Sequence, residues 1–244
     1  MLPPMLVSIH QPHYLPWLPY IHKIASSHLF ILLDDAAYTK NGWQNRNKIK
    51  NANGWQYLTV PVRASLNQPI RTVEIAQAGW GTHHFAALTA NYAKAPFFAE
   101  HAPFFQECLH RPWQRLADLN EAILRYVLAA LGIHIEVVSS SRLNVPGSAT
   151  QRLVDLCRAV GATGYLSGRY AADTYLEPDL FHRAGIELYL QEWHCPVYRQ
   201  QFPKVPFIPD LSIVDLLFNE GPRSLGILRS GGSSTPFPGP DTGF

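Results

Sequence analysis

His10-Gln11-Pro12-His13-Tyr14-Leu15-Pro16-Trp17-Leu18-Pro19-Tyr20 follows directly on the apolar run Met5-Leu6-Val7-Ser8-Ile9, and this junction decides the fold. A turn that only reverses the chain is built from Gly, Asn or Asp, not from two imidazoles and a Trp. The run before the junction has the length and composition of a strand, and residues 17–26 after it have helical spacing. His10 is therefore expected where a strand delivers its side chains to the mouth of an α/β sheet, the usual ligand crevice.

Outward from this unit, strands and helices alternate. Leu29-Phe30-Ile31-Leu32-Leu33 is a continuous apolar run ending in Asp34-Asp35, as a buried parallel strand does. Residues 55–62 alternate as a strand after the hairpin-type turn Asn53-Gly54, and residues 70–75 are a candidate partner. Helices are expected near residues 82–94, 97–110 and 113–131, the last carrying the stripe Leu116, Leu119, Ile123, Val127 and Leu131 before Gly132. Alternation resumes with a strand near residues 134–139, a helix from Ala149 capped by Ser148 and stopped by Gly161, and a strand at Tyr165-Leu166-Ser167. A helix near residues 179–184, a strand at 186–190 and a helix over 212–221 complete the set.

This order predicts an α/β fold, a Rossmann-like open, mostly parallel sheet with a β-hairpin addition and a helical insert at about residues 82–131. Residues 1–229 are expected to form one domain, and residues 230–244, rich in Ser, Thr, Gly and Pro, a disordered C-terminal tail.

Composition excludes several function classes. With a net charge of +2 over 244 residues and no long basic run, the chain lacks the Lys/Arg stripe that grips duplex nucleic acid. Cys108, Cys157 and Cys195 form no Cys-x-x-Cys pair, so neither zinc nor disulfide chemistry is indicated. No apolar stretch is long enough for a membrane span, and a cytoplasmic location is expected.

Three stretches carry the chemistry. His10 and His13 make an H-x-x-H at a strand end, a spacing that resembles nucleotidylyl-transferring enzymes of the Rossmann-like class. The block Trp43-Gln44-Asn45-Arg46-Asn47-Lys48 is denser in amide and cationic donors than a solvated turn requires, which suits a polyhydroxylated or phosphorylated ligand. Ser167-Gly168 ends a later strand at a turn that a phosphate or carboxylate can approach. Asp34 and Asp35 stand at a strand terminus, where only one of two neighbours can face the crevice; no third ligand lies nearby in sequence, so no metal site is assigned.

These stretches resemble the WbqC-like family of bacterial proteins, often encoded among surface-polysaccharide genes. Its opening pattern, His-Gln-Pro-x-Tyr-x-Pro-Trp and then a Gly, an aromatic and a Lys, is met by His10, Gln11, Pro12, Tyr14, Pro16, Trp17, Tyr20 and Lys23, with Pro19 in place of the Gly. The aromatic followed by Gln-Asn-Arg-x-x-Ile is met by Trp43, Gln44, Asn45, Arg46 and Ile49, and a Tyr-Leu-Ser-Gly by residues 165–168. A family His that precedes a Pro corresponds to His194, separated here from Pro196 by Cys195. The resemblance covers about residues 5–228.

The resemblance implies work in surface-glycan (O-antigen) biosynthesis, and three readings stay open. The first is a cytosolic transferase passing an acyl or aminoacyl group to an activated amino sugar. There His10 and Asp35 are catalytic, and Gln11, Tyr14, Trp17, Gln44, Asn45, Arg46, Lys48, Ser167, Gly168 and His194 line the substrate site. Its partners are a nucleotide-linked sugar and an acyl or aminoacyl donor on a carrier protein or coenzyme A. The second is magnesium-dependent nucleotidyl transfer at His10 and His13, and the third a non-catalytic carrier of a glycan intermediate. The sequence leaves the cofactor unassigned.

Overall fold

The computed structural model describes residues 5–76 and 79–237. Strand β1 (Leu6–His10) leads through the quoted turn into helix α1 (Leu18–Ala25) and then strand β2 (Leu29–Leu32). Strands β3 (Arg46–Asn51) and β4 (Gly54–Thr59) make a hairpin, and β5 (Val62–Arg63) pairs with β6 (Glu74–Ile75). The insert is helical: α2 (Trp80–Tyr92), α3 (Phe98–His110) and α4 (Leu116–Ala130), the last stopped by Gly132 in the left-handed region at φ 67°. Then come β7 (Glu136–Ser139), α5 (Ser140–Leu143), α6 (Ala149–Ala159), β8 (Gly164–Gly168), α7 (Arg169–Thr174), α8 (Pro178–Arg183) and β9 (Glu187–Trp193). Helices α9 (Ile213–Glu220) and α10 (Ser224–Ser230) and strand β10 (Gly232–Pro236) follow.

The main sheet has the order β10-β9-β8-β1-β2-β7, parallel except for the antiparallel pair of β10 with β9. The chain steps outward from β1 through β2 to β7, then returns to the other flank of β1 with β8 and continues to β9. The order therefore reverses between β1 and β8, which is the topological switch point where open parallel sheets bind ligands. This is the expected α/β, Rossmann-like architecture with its hairpin and helical additions.

Strand alternation separates two cores. Val7, Ile9, Leu29 and Ile31 pack against α6 and α8 through Val154, Cys157 and Phe181. Phe30 and Leu32 face the opposite way, into the larger core of α1, the helical insert and α9. Leu18, Ile21 and Ile24 of α1 are buried there, each contributing about 1.5–3 kcal/mol by leaving water. His10, two residues beyond Ser8, consequently lies on the α1 side of the sheet.

Three features depart from the sequence reading. Residues 46–51 form a strand because Asn47 and Ile49 point inward while Arg46 and Lys48 point out, so the amide-rich block is half a hairpin, not a loop. Residues 70–72 form a 3-10 turn, leaving only Glu74 and Ile75 to pair. The segment expected to be a tail from residue 230 contributes β10, whose Gly232 to Pro236 pair with Trp193 to Tyr189; residues 238–244 lie outside the described residues.

Candidate functional site

The turn after β1 is held from outside itself. Leu15 is in the left-handed region at φ 42°, a strained conformation for a side chain branched as Leu is. Asn47 Nδ2 donates to Leu15 O at 2.7 Å, and Tyr14 N donates to Trp43 O at 3.1 Å. Gln44 Nε2 donates to Gln11 Oε1 at 2.6 Å, and the indoles of Trp17 and Trp43 stack at 5.4 Å. Asn120 Nδ2 of α4 donates to Gln44 O at 2.7 Å, so the helical insert fixes the amide block in turn. The first two motifs of the sequence are therefore one interlocked unit.

Below the mouth of the sheet, four titratable side chains meet. The His10 and His13 rings lie 4.6 Å apart, edge to face, and both contact Tyr20, at 5.1 Å and 4.7 Å. Lys23, three residues beyond Tyr20 and so on the same face of α1, reaches Ile9 O with its Nζ at 3.3 Å. Burial, with the Lys23 charge added, lowers His10 well below its ordinary value and His13 to about 3. Burial also lowers Lys23 to about 7. His10 is the half-buried member: its Nδ1 faces Gln11 O at 3.3 Å, which leaves Nε2 as the nitrogen free to take a proton from a ligand.

β8 forms the other wall. Leu6, Val7 and Ser8 pair with Gly164, Tyr165 and Leu166, and continuing this register brings His10 abreast of Gly168. A Cβ added at Gly168 would meet nothing within 4 Å. Ser167 points to the opposite face, is buried, and donates from Oγ to Gly168 O at 3.1 Å.

The outer face of the hairpin extends from this unit. Lys48 Nζ stands 4.4 Å from the Trp55 ring centroid and 5.9 Å from those of Trp43 and Tyr57, while Arg46 Cζ lies 4.4 Å above Tyr57. Trp55 and Tyr57 remain 45% and 37% exposed. Arg46 also donates to Asn41 O at 2.6 Å. Asn45 lies beneath, its Nδ2 on Val60 O at 2.8 Å, and it lines a cavity of about 520 Å³ with Tyr38, Asn41 and Thr59.

Other expected site residues are placed elsewhere. Asp35 does not join His10: Arg152 Nη2 donates to its Oδ2 at 2.6 Å and Ser140 Oγ to its Oδ1 at 2.6 Å. Burial works against its charge, yet these two bonds hold the carboxyl below the usual range. Asp34 accepts from Ser141 N at 2.9 Å and Ser141 Oγ at 2.7 Å, so it anchors the start of α5. Tyr14 is fully buried, with its hydroxyl 2.8 Å from His84 Nδ1; it positions the turn and faces no solvent. His194 is exposed just past β9, its backbone N–H on Gly231 O at 2.7 Å.

Tyr20, Lys23, Asn47 and Asn120 belong to the unit without having been assigned to it from sequence. For Tyr20 and Lys23 a signal exists, the three-residue spacing that puts both on one face of a helix starting beside His10. For Asn120 none does.

With half-buried His10 and Gly168 abreast at the switch point of a sheet in this order, the molecule is an α/β protein of Rossmann-like architecture. The chain belongs to the WbqC-like protein family, whose model matches residues 11–227. It is also similar to "Uncharacterized protein Rv1507c" of Mycobacterium tuberculosis, with 36% identity over 230 residues, 91% of this chain and 97% of that protein. Among the described residues no helix is long and apolar enough to cross a membrane.

Proposed function

We propose that this protein is a cytoplasmic transferase of surface-glycan biosynthesis that passes an acyl or aminoacyl group to the amine of a nucleotide-linked amino sugar. The observation that carries the reading is His10, a histidine kept neutral at physiological pH at the switch point, with Nδ1 turned to Gln11 O and Gly168 abreast of it on the neighbouring strand. In the proposed reaction the sugar amine attacks the acyl carbonyl carbon, Nε2 takes the proton the amine sheds, and that proton passes to the departing donor group as the carbon–donor bond breaks. The family resemblance supplies the glycan setting. Lys48 and Arg46, each above an exposed aromatic ring and without a carboxylate partner among the described residues, suit the sugar-linked phosphates, with Trp55 and Tyr57 as surfaces for a ring.

The test is turnover of nucleotide-linked amino sugars with acyl-coenzyme A, carrier-linked and aminoacyl donors, by the native chain and by His10→Gln. Loss of roughly 10²–10⁴-fold in kcat is expected for the variant, the usual contribution of a general base. Its thermal stabilisation by the sugar nucleotide should persist, at about 2.7 kcal/mol for ligand at 100 times Kd. Turnover that requires magnesium and a nucleoside triphosphate would replace this reading with nucleotidyl transfer. Binding without turnover across all donors would replace it with carriage of an intermediate.

A further inference from the structure

His10 is only the rim of the basic cluster. Beneath it, His13, Tyr20 and Lys23 are 4%, 2% and 5% exposed, and their polar atoms are not provided for by the protein. Among the described residues, His13 Nδ1 and the Tyr20 hydroxyl have no hydrogen-bond partner, and Lys23, with three N–H donors when charged, has the single acceptor Ile9 O at 3.3 Å. Buried polar groups in folded proteins are almost always paired, because each one left bare costs about 1–3 kcal/mol. Here the rings of His10, His13 and Tyr20 lie within 5.1 Å of one another, and Lys23 ends at the backbone of the strand that carries His10.

Charge points the same way. β1 contributes His10, the turn His13, and α1 Tyr20 and Lys23, while β2 presents only the apolar Phe30 against Tyr20. No carboxylate is among the influences on His10, His13, Tyr20 or Lys23: the Lys23 charge acts on both histidines, His13 acts on His10, and Tyr20 and Lys23 themselves are shifted by burial alone. A basic cluster with donors to spare and no acid of its own is complementary to an anion.

We propose that Lys23, His13 and Tyr20 form an oxyanion-binding floor beneath His10, which takes the carboxylate or phosphoryl group of a small acidic substrate. The hydroxyl of Tyr20 and an N–H of Lys23 donate to the anion, which supplies the missing acceptor for both. Arrival of the anion converts Lys23 from amine to ammonium, so binding draws a proton from solution. This deepens the transferase reading by assigning where an acidic substrate group sits, but it concerns binding and needs no turnover.

Calorimetry with inorganic phosphate, pyrophosphate and acetate, in phosphate-free buffers of different ionisation enthalpy, tests it. Acetate and the phosphates separate a carboxylate ligand from a phosphoryl one, and binding of either supports the floor. At pH 8, above the value of about 7 at which free Lys23 titrates, binding should take up about one proton per anion. Tyr20→Phe should weaken binding about tenfold with no fall in melting temperature, a combination that a merely structural hydroxyl does not produce. Lys23→Met should abolish the proton uptake, and Lys23→Arg should bind without it. Failure of all three probes to bind, binding without proton uptake, or unchanged affinity in Tyr20→Phe and Lys23→Met would each overturn the proposal. Anion binding intact in a chain that transfers nothing sinks the transferase reading alone; transfer without the floor's signature sinks the floor alone.

Discussion

Lys50 and Lys23 are both buried, at 2% and 5% exposure, and they live in opposite surroundings. Lys50 Nζ donates to Gln200 Oε1 at 2.9 Å, Pro206 O at 3.1 Å and Val205 O at 3.3 Å. The Asp215 carboxylate nearby takes the hydroxyls of Tyr92 and Tyr198, each at 2.8 Å, and Tyr92 in turn accepts from Lys50 N at 2.9 Å. Every donor there has an acceptor, and the cluster ties β3, α2 and α9 to the segment around residue 200. Among the described residues, Lys23 has one acceptor, no acid and two unpaired neighbours. A closed network of this kind contributes stability and specifies packing; an open one costs stability, a cost that the proposed anion would offset.

The contrast can be broken most severely at Asp215. Burial pushes this carboxyl up to about 6 while hydrogen bonds from Tyr92 and Tyr198 and the charge of Lys50 pull it back. Asp215→Ala leaves those partners stranded and should cost about 3–5 kcal/mol, read by urea unfolding, or roughly 10 °C in melting temperature for a chain this size. A loss below about 1 kcal/mol would mean that the network is not the clamp its geometry describes.

Acid sharpens the comparison next. Burial lowers His13 from 6.5 to about 3 and His84 from 6.5 to about 4, so below pH 6.5 the unfolded chain binds protons that the folded chain refuses and stability falls. Asp215, raised from 3.8 to about 6, acts in the other direction below pH 6, since there the folded chain binds the extra proton. At about 1.4 kcal/mol per proton per pH unit, the two histidines outweigh the carboxyl, and these three groups together lose on the order of 3 kcal/mol between pH 6.5 and 4.5, with His10, also lowered by burial, adding to the loss. His13→Gln should flatten that slope by about one proton, measured by denaturant midpoints across pH.

The smallest effect is a matched pair. Tyr198→Phe removes a hydroxyl that donates to a carboxylate and should destabilise by about 1.5–3 kcal/mol. Tyr20→Phe removes one with no partner and should be neutral or stabilise by up to about 1 kcal/mol. Equal losses in the two variants would erase the distinction between a closed cluster and an open one.

Much of the fold was legible because its signals are local. Helices at 80–92, 98–110 and 116–130 follow apolar stripes and stop signals, and β1, β2 and β8 are short apolar runs bounded by turns. The candidate site was legible as far as the grouping of His10, Gln11 and Gln44 with the hairpin that carries Arg46 and Lys48. It stopped there for physical reasons. Asp34 and Asp35 are claimed by Ser140, Ser141 and Arg152, partners distant in sequence, so no nearby pattern reveals that they turn away from His10. Residues 46–51 alternate as a strand, but their polarity reads as loop chemistry until Asn47 is seen bonding inward to Leu15 O. Gly232 to Pro236 are low in β-propensity and become a strand only because β9 offers an unpaired edge.

The switch point also sets a schedule. β1, α1 and β2 are contiguous, but β7 joins β2 only after residues 33–135 have been made, and Gly168 reaches His10 later still. Because the central pairings are so far apart along the chain, the sheet closes slowly relative to the hairpin and the insert. On the ribosome the rim and floor of the crevice would emerge early and stand without their second wall until β8 is synthesised. Under the proposed function, ligand binding is thus a late event in the life of each molecule, and it certifies that nearly the whole chain has assembled.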